Sequence, residues 1–174
     1  DRYGVSAFGL SNQTDLTRSE SKEIINNYFR SYPKLKEYMS DQISFARDNG
    51  YVETILKRKR YLPEINSRNA ILRSSAERNA INTPVQGSAA DIIKLSMIKI
   101  DHEFEKKSLS SKLLLQVHDE LVFDVVLSEI DIVKKIIKDN MENVIQMDVP
   151  LKVDIGFGDN WLVAQQKFDL YFFQ

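Results

Sequence analysis

The stretch that most restricts the fold of this chain runs from Leu113 to Val126 and reads LLLQVHDELVFDVV. Two apolar runs separated by a short polar segment predict a β-hairpin. Both faces of the flanking runs are apolar, so we expect a central hairpin that is mostly buried. Asp119 and Glu120 interrupt the pattern at its tip. Desolvated carboxylates require a cation, which makes both candidate ligands of a hard metal ion. The stretch alone leaves a second reading open, an ordinary polar turn, because Asp is common in turns.

Composition limits the possible functions. The chain has 174 residues, enough for one domain with a core. Lys and Arg number 24 and Asp and Glu 25, so only local clustering of charge can favour or exclude nucleic acid. The absence of cysteine excludes disulfides, thiolate zinc sites and Cys nucleophiles, and it is consistent with a reducing compartment. No apolar run approaches the roughly 20 residues that span a membrane.

The N-terminal half predicts helices and a small hairpin. Residues 1–16 contain no Met and no N-terminal cap, so they do not resemble a natural start, and we expect the chain to be a fragment. The order Thr17-Arg18-Ser19-Glu20 is a capping box that predicts a helix. Its apolar residues recur at helical spacing and predict a core-facing stripe: Ile24, Ile25, Tyr28, Phe29 and Tyr32. Pro33 is expected to end or kink this helix, and Gly50 to stop the next one.

A basic cluster, Lys57-Arg58-Lys59-Arg60, lies at the turn of a short hairpin predicted over residues 51–65. Two readings stay open: a solvated turn, or a contact with a phosphate backbone. The cluster opens a basic segment from Lys57 to Lys99 with nine Lys or Arg against three Asp or Glu.

A polar helix predicted over residues 66–83 carries Arg68, Arg73 and Arg78. Arg78 and Asn82 are four residues apart and share a helix face. Together they can present several hydrogen-bond donors to one ligand, although an exposed polar face is the alternative. We expect Pro84-Val85-Gln86-Gly87 to interrupt this helix and a second capping box, Ser88 to Asp91, to open a core helix that reaches Phe104.

The residues after the hairpin predict an amphipathic helix over 132–145 and then a half-buried strand over 151–157. The predicted fold class is therefore α+β, an antiparallel sheet with the central hairpin 113–126 packed on helices. The last segment, KFDLYFFQ, has no clear periodicity and resembles the remnant of a protease-recognition tag. Residues 163–174 are therefore interpreted as a tail.

Four ordered motifs resemble family A DNA polymerases, the family of bacterial DNA polymerase I, in the C-terminal part of their polymerase domain. They are Tyr3 to Leu10 (YGVSAFGL), GYVET with RYLP between Gly50 and Pro63, AERNAIN with PVQGSAAD between Ala76 and Asp91, and QVHDE at Gln116 to Glu120. The resemblance covers roughly residues 3–162. It implies that residues 1–84 are the remainder of a fingers subdomain, with its helices at the N-terminal side, and that residues 85–162 are the C-terminal part of a palm.

The resemblance also implies roles for individual residues. Asp119 resembles one of two carboxylates that hold the catalytic Mg²⁺ ions. Glu120 resembles the neighbouring acid, which has a lesser role, and His118 resembles the residue beside the primer terminus. The side chains that resemble the minor-groove readers near the new base pair are Arg78, Asn82 and Gln86. Tyr3 resembles an aromatic that stacks near the template base at the nucleotide site. The implied partners are primer-template DNA and dNTP, without a membrane, in a monomeric, cytoplasmic, nucleoid-associated parent enzyme of DNA replication and repair.

Several features depart from the family pattern. The second metal-binding aspartate, the triphosphate-binding basic residues of the fingers and the thumb are all absent from these 174 residues. Asp1-Arg2 replace apolar residues, and Lys57 replaces a frequent turn glycine. We therefore expect an active parent polymerase and an inactive isolated fragment.

Two other functions stay open. The basic segment would suit a non-catalytic nucleic-acid-binding module. A metal-dependent nuclease would need clustered acids, for which Asp124, Asp154 and Asp159 are available, although Asp154 is expected to face solvent.

Overall fold

The computed structural model describes residues 7–166, and the chain divides into two compact units, residues 1–89 and residues 90–174. The boundary falls within a long helix. The two units are described separately below. Among residues 7–166, no helix is long and apolar enough to cross a bilayer.

The first unit consists of helices and one small hairpin. Its elements are α1 (Ala7–Gln13), α2 (Arg18–Ser31), α3 (Pro33–Asn49), the antiparallel strands β1 (Tyr51–Glu53) and β2 (Lys59–Tyr61), a 3-10 turn (Pro63–Asn66) and the start of α4 (Ala70–Lys106). Thr17 and Glu20 form the predicted capping box at α2, and Gly50 ends α3 in the left-handed conformation, with φ 78°. The core of this unit contains Ala46, Val52, Leu62, Ile65, Ala76 and Ala80.

The prediction that the stripe on α2 is core is wrong for three of its residues. Ile24, Tyr28 and Tyr32 are 47%, 50% and 57% exposed. The Tyr28 ring contacts the rings of Phe29 and Tyr32, at centroid distances of 5.7 and 5.0 Å. Helical spacing identifies an apolar face, but it does not identify an element that covers the face.

The predicted break at Pro84–Gly87 and the predicted capping box at Ser88 are also wrong, because α4 continues through both for a total of 37 residues. Pro84 removes one N–H from the helical hydrogen bonds. The β1–β2 hairpin supports α4 on either side of it: Arg60 Nη1 donates to Thr83 Oγ1 (3.1 Å) and Arg58 Nη2 to the Gly87 carbonyl (3.1 Å). The Ser88 hydroxyl donates within the helix, to the Pro84 carbonyl. Tertiary contacts thus override the local signal.

The second unit is an antiparallel hairpin packed on helices, which confirms the α+β fold class. Strands β3 (Lys112–Val117) and β4 (Glu120–Asp124) are followed by a 3-10 turn (Leu127–Glu129), α5 (Ile130–Glu142) and α6 (Trp161–Gln166). The core residues come from the end of α4 and from α5: Ile100, Phe104, Val133, Ile136 and Ile137. From the hairpin, Leu121 and Phe123 pack against them.

The hairpin is less buried than its sequence predicts. Leu114 is 59% exposed and Leu115 is 42% exposed, and the register shifts between Leu113 and Leu115. Within the described residues β3 and β4 form a sheet of two strands by themselves, and the helices cover one face. An antiparallel sheet tolerates such a one-sided arrangement, so apolar residues on both faces did not predict burial on both.

The predicted strand over residues 151–157 is not formed. The alternation is nevertheless present in the burial: Leu151 and Val153 are half-buried, whereas Lys152 and Asp154 are exposed. Alternation of apolar and polar residues indicates an extended segment with one face against the protein and the other in solvent. It does not establish that a neighbouring strand pairs with the segment.

Candidate functional site

The turn between β3 and β4 presents the predicted catalytic residues. Val117 pairs directly with Glu120, so only His118 and Asp119 form the turn. His118 has φ 53°, as expected for the first central residue of a two-residue hairpin turn. A left-handed conformation costs a non-glycine residue about 1–2 kcal/mol. The short connection therefore strains His118 and places Asp119 at the apex.

Two glutamine side chains support the residues on either side of Asp119. Gln116 Nε2 donates to the His118 carbonyl (2.7 Å), and Gln165 Nε2, from α6, donates to Glu120 Oε2 (3.0 Å). Asp119 itself is exposed, and its carboxylate makes no hydrogen bond or ion pair with any described residue. The turn thus presents one free carboxylate between two supported neighbours.

This carboxylate is suitable for Mg²⁺ but does not complete a site. Mg²⁺ prefers oxygen ligands in octahedral geometry, and Asp119 supplies oxygen donors that no described side chain occupies. Within residues 7–166, no group of three or more His, Asp or Glu residues could hold a metal ion. Asp124 lies at the opposite end of the hairpin, where it is opposite Lys112 in the strand register. The described residues therefore supply one free carboxylate and no complete metal site.

Glu129 holds the base of the hairpin, a role that the sequence did not reveal. Its carboxylate accepts the Ser110 N–H (2.9 Å), the Ser111 N–H (2.9 Å) and the Ser111 hydroxyl (2.6 Å). Ser111 Oγ also accepts the Val126 N–H (3.0 Å), so the segment that enters β3 is connected to the segment that leaves β4. The Ser110 amide, followed by the Ser111 hydroxyl and amide, lowers the pKa of Glu129.

The predicted minor-groove readers form a stripe on α4, in the first unit. Arg78, Asn82 and Gln86 follow one another at intervals of four residues and share a helix face. Arg78 and Gln86 are exposed and have no hydrogen bond or ion pair with a described residue. Asn82 is half-buried, and its Oδ1 atom has no hydrogen-bond partner among the described residues. Guanidinium and amide groups give this stripe several N–H donors.

The basic cluster is largely engaged within its own unit. Lys57 and Lys59 lie 3.4 and 4.0 Å from the carboxylate of Glu53. Arg58 and Arg60 donate to α4, as described above. The two arginine contacts give the cluster a structural role, although all four of its residues are exposed.

Two predicted features lie outside what the structure places. Tyr3 is outside the described residues, and its assignment to the nucleotide site stays a prediction. The interpretation of residues 163–174 as a tail is wrong for Gln165, which lies in α6 and contacts Glu120. The only signal in the sequence is Asn160 just before Trp161, a residue type that caps helices.

Comparisons with known proteins agree with the motifs. The model of DNA polymerase family A matches residues 2–163. The DNA polymerase I of Caldicellulosiruptor bescii is 50% identical over 159 residues, which are 91% of this chain and 19% of that protein. The DNA polymerase I of Lactococcus lactis subsp. lactis is 48% identical over 163 residues, 94% of this chain and 19% of that protein.

Among solved structures, the POL domain of Pol1 from M. smegmatis, in complex with DNA primer-template and dNTP, is similar with a TM-score of 0.91. It is 43% identical, and the match covers 94% of this chain and 29% of that chain. The chain therefore spans only 19% of the length of the two curated relatives above.

Proposed function

The chain belongs to DNA polymerase family A, and we propose that it is the C-terminal part of an enzyme that extends a DNA primer on a template. The reaction would transfer a nucleotide from dNTP to the primer 3′-OH, in DNA replication and repair. The observation that carries the proposal is the free carboxylate of Asp119 at the apex of the β3–β4 turn, within the matched region.

In this proposal Asp119 holds catalytic Mg²⁺ together with a carboxylate from another part of the protein. Bound Mg²⁺ would stabilise charge on the attacking 3′-oxygen and on the leaving pyrophosphate. Glu120 is the neighbouring acid. One of its carboxylate oxygens accepts a hydrogen bond from Gln165, whereas neither oxygen of Asp119 has a partner among the described residues, so Asp119 is the proposed direct ligand. His118 is proposed to lie beside the primer terminus.

The stripe of Arg78, Asn82 and Gln86 is proposed to bind the minor groove of the primer-template. Minor-groove acceptors occupy similar positions in all four base pairs. Donors that reach them can therefore check the geometry of a pair without selecting a sequence, as copying any template requires. The exposure of Arg78 and Gln86 supports this role.

The experiment that tests the proposal is primer extension by the full-length protein carrying Asp119→Asn. A lost metal ligand removes several kcal/mol of transition-state stabilisation, so we expect the rate to fall by about 10³-fold. Primer-template affinity should change little, because the residue contacts the ion. Asp124→Asn is the matched control, an exposed carboxylate at the far end of the same hairpin. Normal extension by Asp119→Asn would refute the proposal.

The 174-residue chain by itself is proposed to be inactive, because its described part brings together no complete metal site. Primer extension with this chain and Mg²⁺ should give no incorporation. Robust incorporation would show that a single carboxylate suffices.

The two alternatives have less support. A nucleic-acid-binding module would use the basic segment from Lys57 to Lys99, and the cluster that opens this segment has partners in its own unit. Salt-dependent DNA binding unchanged by Asp119→Ala, in a protein without polymerase activity, would favour it. A nuclease would need a group of acids that is not found among residues 7–166.

A further inference from the structure

We propose that Gln165 is a positioning residue that holds the Glu120 carboxylate beside the metal ligand Asp119. The inference rests on the proposed polymerase function and adds to it a residue from α6. The match to the family model ends at residue 163, so this contact lies beyond the matched region.

The contact itself restrains Glu120. Gln165 Nε2 donates to Oε2 of Glu120 at 3.0 Å, whereas Oε1 accepts no hydrogen bond from a described residue. Glu120 is the first residue of β4, directly after the apex, and its backbone is fixed by pairing with Val117. With the backbone fixed, the side-chain torsions are the freedom that remains, and the amide restrains them. One oxygen stays available for an ion or for its bound water.

The start of α6 is constrained by contacts within residues 158–164. Asn160 Oδ1 accepts the Val163 N–H (3.0 Å), and the Asn160 carbonyl accepts the Ala164 N–H (3.0 Å). Gly158 approaches the same turn so closely that a Cβ atom there would lie 2.7 Å from both Ala164 N and Val163 Cγ1. Gln165 therefore follows a constrained helix start.

The chemical type of the residue also matters. An amide donates a hydrogen bond without adding charge. A carboxylate at residue 165 would repel Glu120, and an ammonium group there would compete with the bound cation. Neutral donation orients the acid and leaves the electrostatics of the metal site unchanged.

The test uses the full-length protein and measures single-nucleotide incorporation against Mg²⁺ concentration. Loss of groups that orient metal ligands typically costs 10–100-fold; because Gln165 is exposed, we expect about a three- to tenfold lower kcat for Gln165→Ala. The Mg²⁺ concentration for half-maximal rate should rise, with the KM for dNTP and the Kd for primer-template unchanged. Mn²⁺ binding, followed by electron paramagnetic resonance, should weaken in parallel.

Three further variants separate positioning from a structural role. Gln165→His keeps a nitrogen donor at similar reach and should recover most of the rate. Gln165→Asn keeps the amide but shortens the side chain and should behave as Gln165→Ala does. Gln146→Ala, at an exposed glutamine outside α6, is the matched control and should be neutral. Wild-type Mg²⁺ dependence in both Gln165→Ala and Gln165→Asn would overturn the proposal.

A double-mutant cycle identifies the residue through which Gln165 acts. In a Glu120→Gln background, Gln165→Ala should have no further effect on kcat or on the Mg²⁺ dependence. An equal loss in both backgrounds would show that Gln165 acts elsewhere and would overturn the proposal. Failure of the polymerase assignment is recognised separately, because the wild-type protein would then not extend the primer, or Asp119→Asn would leave its rate unchanged.

Discussion

Gly87→Ala tests how closely the β1–β2 hairpin approaches α4. An alanine in a helix interior is normally about 1 kcal/mol more favourable than a glycine, and Gly87 lies inside α4. A Cβ atom at this position would, however, lie 2.6 Å from Cγ2 of Thr54. That distance is far below van der Waals contact, so one of the two elements must move.

The structure indicates that this movement is costly. Thr54 is 4% exposed, and its Oγ1 atom accepts the Arg58 N–H (3.2 Å), so its side chain has no free direction in which to turn. Overpacking a core costs about 1–3 kcal/mol. With the propensity gain of about 1 kcal/mol subtracted, we expect Gly87→Ala to lower the free energy of unfolding by up to about 2 kcal/mol.

The matched variant is Thr54→Ser, which removes only the methyl group that clashes. The remaining neighbours of the new Cβ would be Arg58 Nη2 at 3.5 Å and Thr54 Cβ at 3.9 Å, both ordinary contacts. In the Thr54→Ser background Gly87→Ala should therefore stabilise the protein, by about 0.5–1 kcal/mol. Urea unfolding of the four proteins, followed by circular dichroism at 222 nm, gives the coupling energy. An equal effect of Gly87→Ala in both backgrounds would refute the steric reasoning.

Three further predictions concern stability. Lys57 is an exposed non-glycine residue with φ 64°, a left-handed conformation that strains its backbone. Lys57→Gly should therefore raise the free energy of unfolding by about 0.5–1 kcal/mol in urea titrations. A lower free energy of unfolding would contradict the presence of this backbone strain. Hydrogen bonds from Ser110 and Ser111 lower the pKa of Glu129, so its stabilisation is complete above its unfolded pKa and is lost as pH falls through the lower folded value. In Glu129→Gln the melting temperature should therefore fall less steeply as the pH is lowered. An unchanged pH dependence of the melting temperature would exclude a contribution from Glu129. Ile100 is fully buried, so Ile100→Ala should cost about 2–5 kcal/mol in urea unfolding, and a cost near zero would mean that this core is loosely packed.

Local signals predicted those features that depend on a few adjacent residues. The capping box at Thr17 and the left-handed stop at Gly50 were confirmed because neighbouring side chains and φ alone determine them. The QVHDE motif likewise predicted a hairpin with acids at its tip, because two apolar runs flank a short polar segment. The structure adds that the connection has only two residues, His118 and Asp119.

Features that depend on distant contacts were not predictable. Pro84 is a reliable helix breaker in isolation, but hydrogen bonds from Arg58 and Arg60 support α4 around it. The exposure of Leu114 depends on how many elements cover the hairpin, which the sequence does not state. Gln165 lies 45 residues from Glu120, in a segment that the sequence analysis interprets as a tail.

The two-residue turn at His118 and Asp119 also has a consequence for evolution and for library design. Side-chain direction alternates along each strand, so one inserted or deleted residue here would reverse the facing of every later residue of β4. Leu121 and Phe123 would then lose the core that they contact. Amino-acid replacements at the turn alter chemistry, whereas changes of length alter the whole unit. Lineages that descend from this sequence should vary the composition of the turn while keeping its length constant.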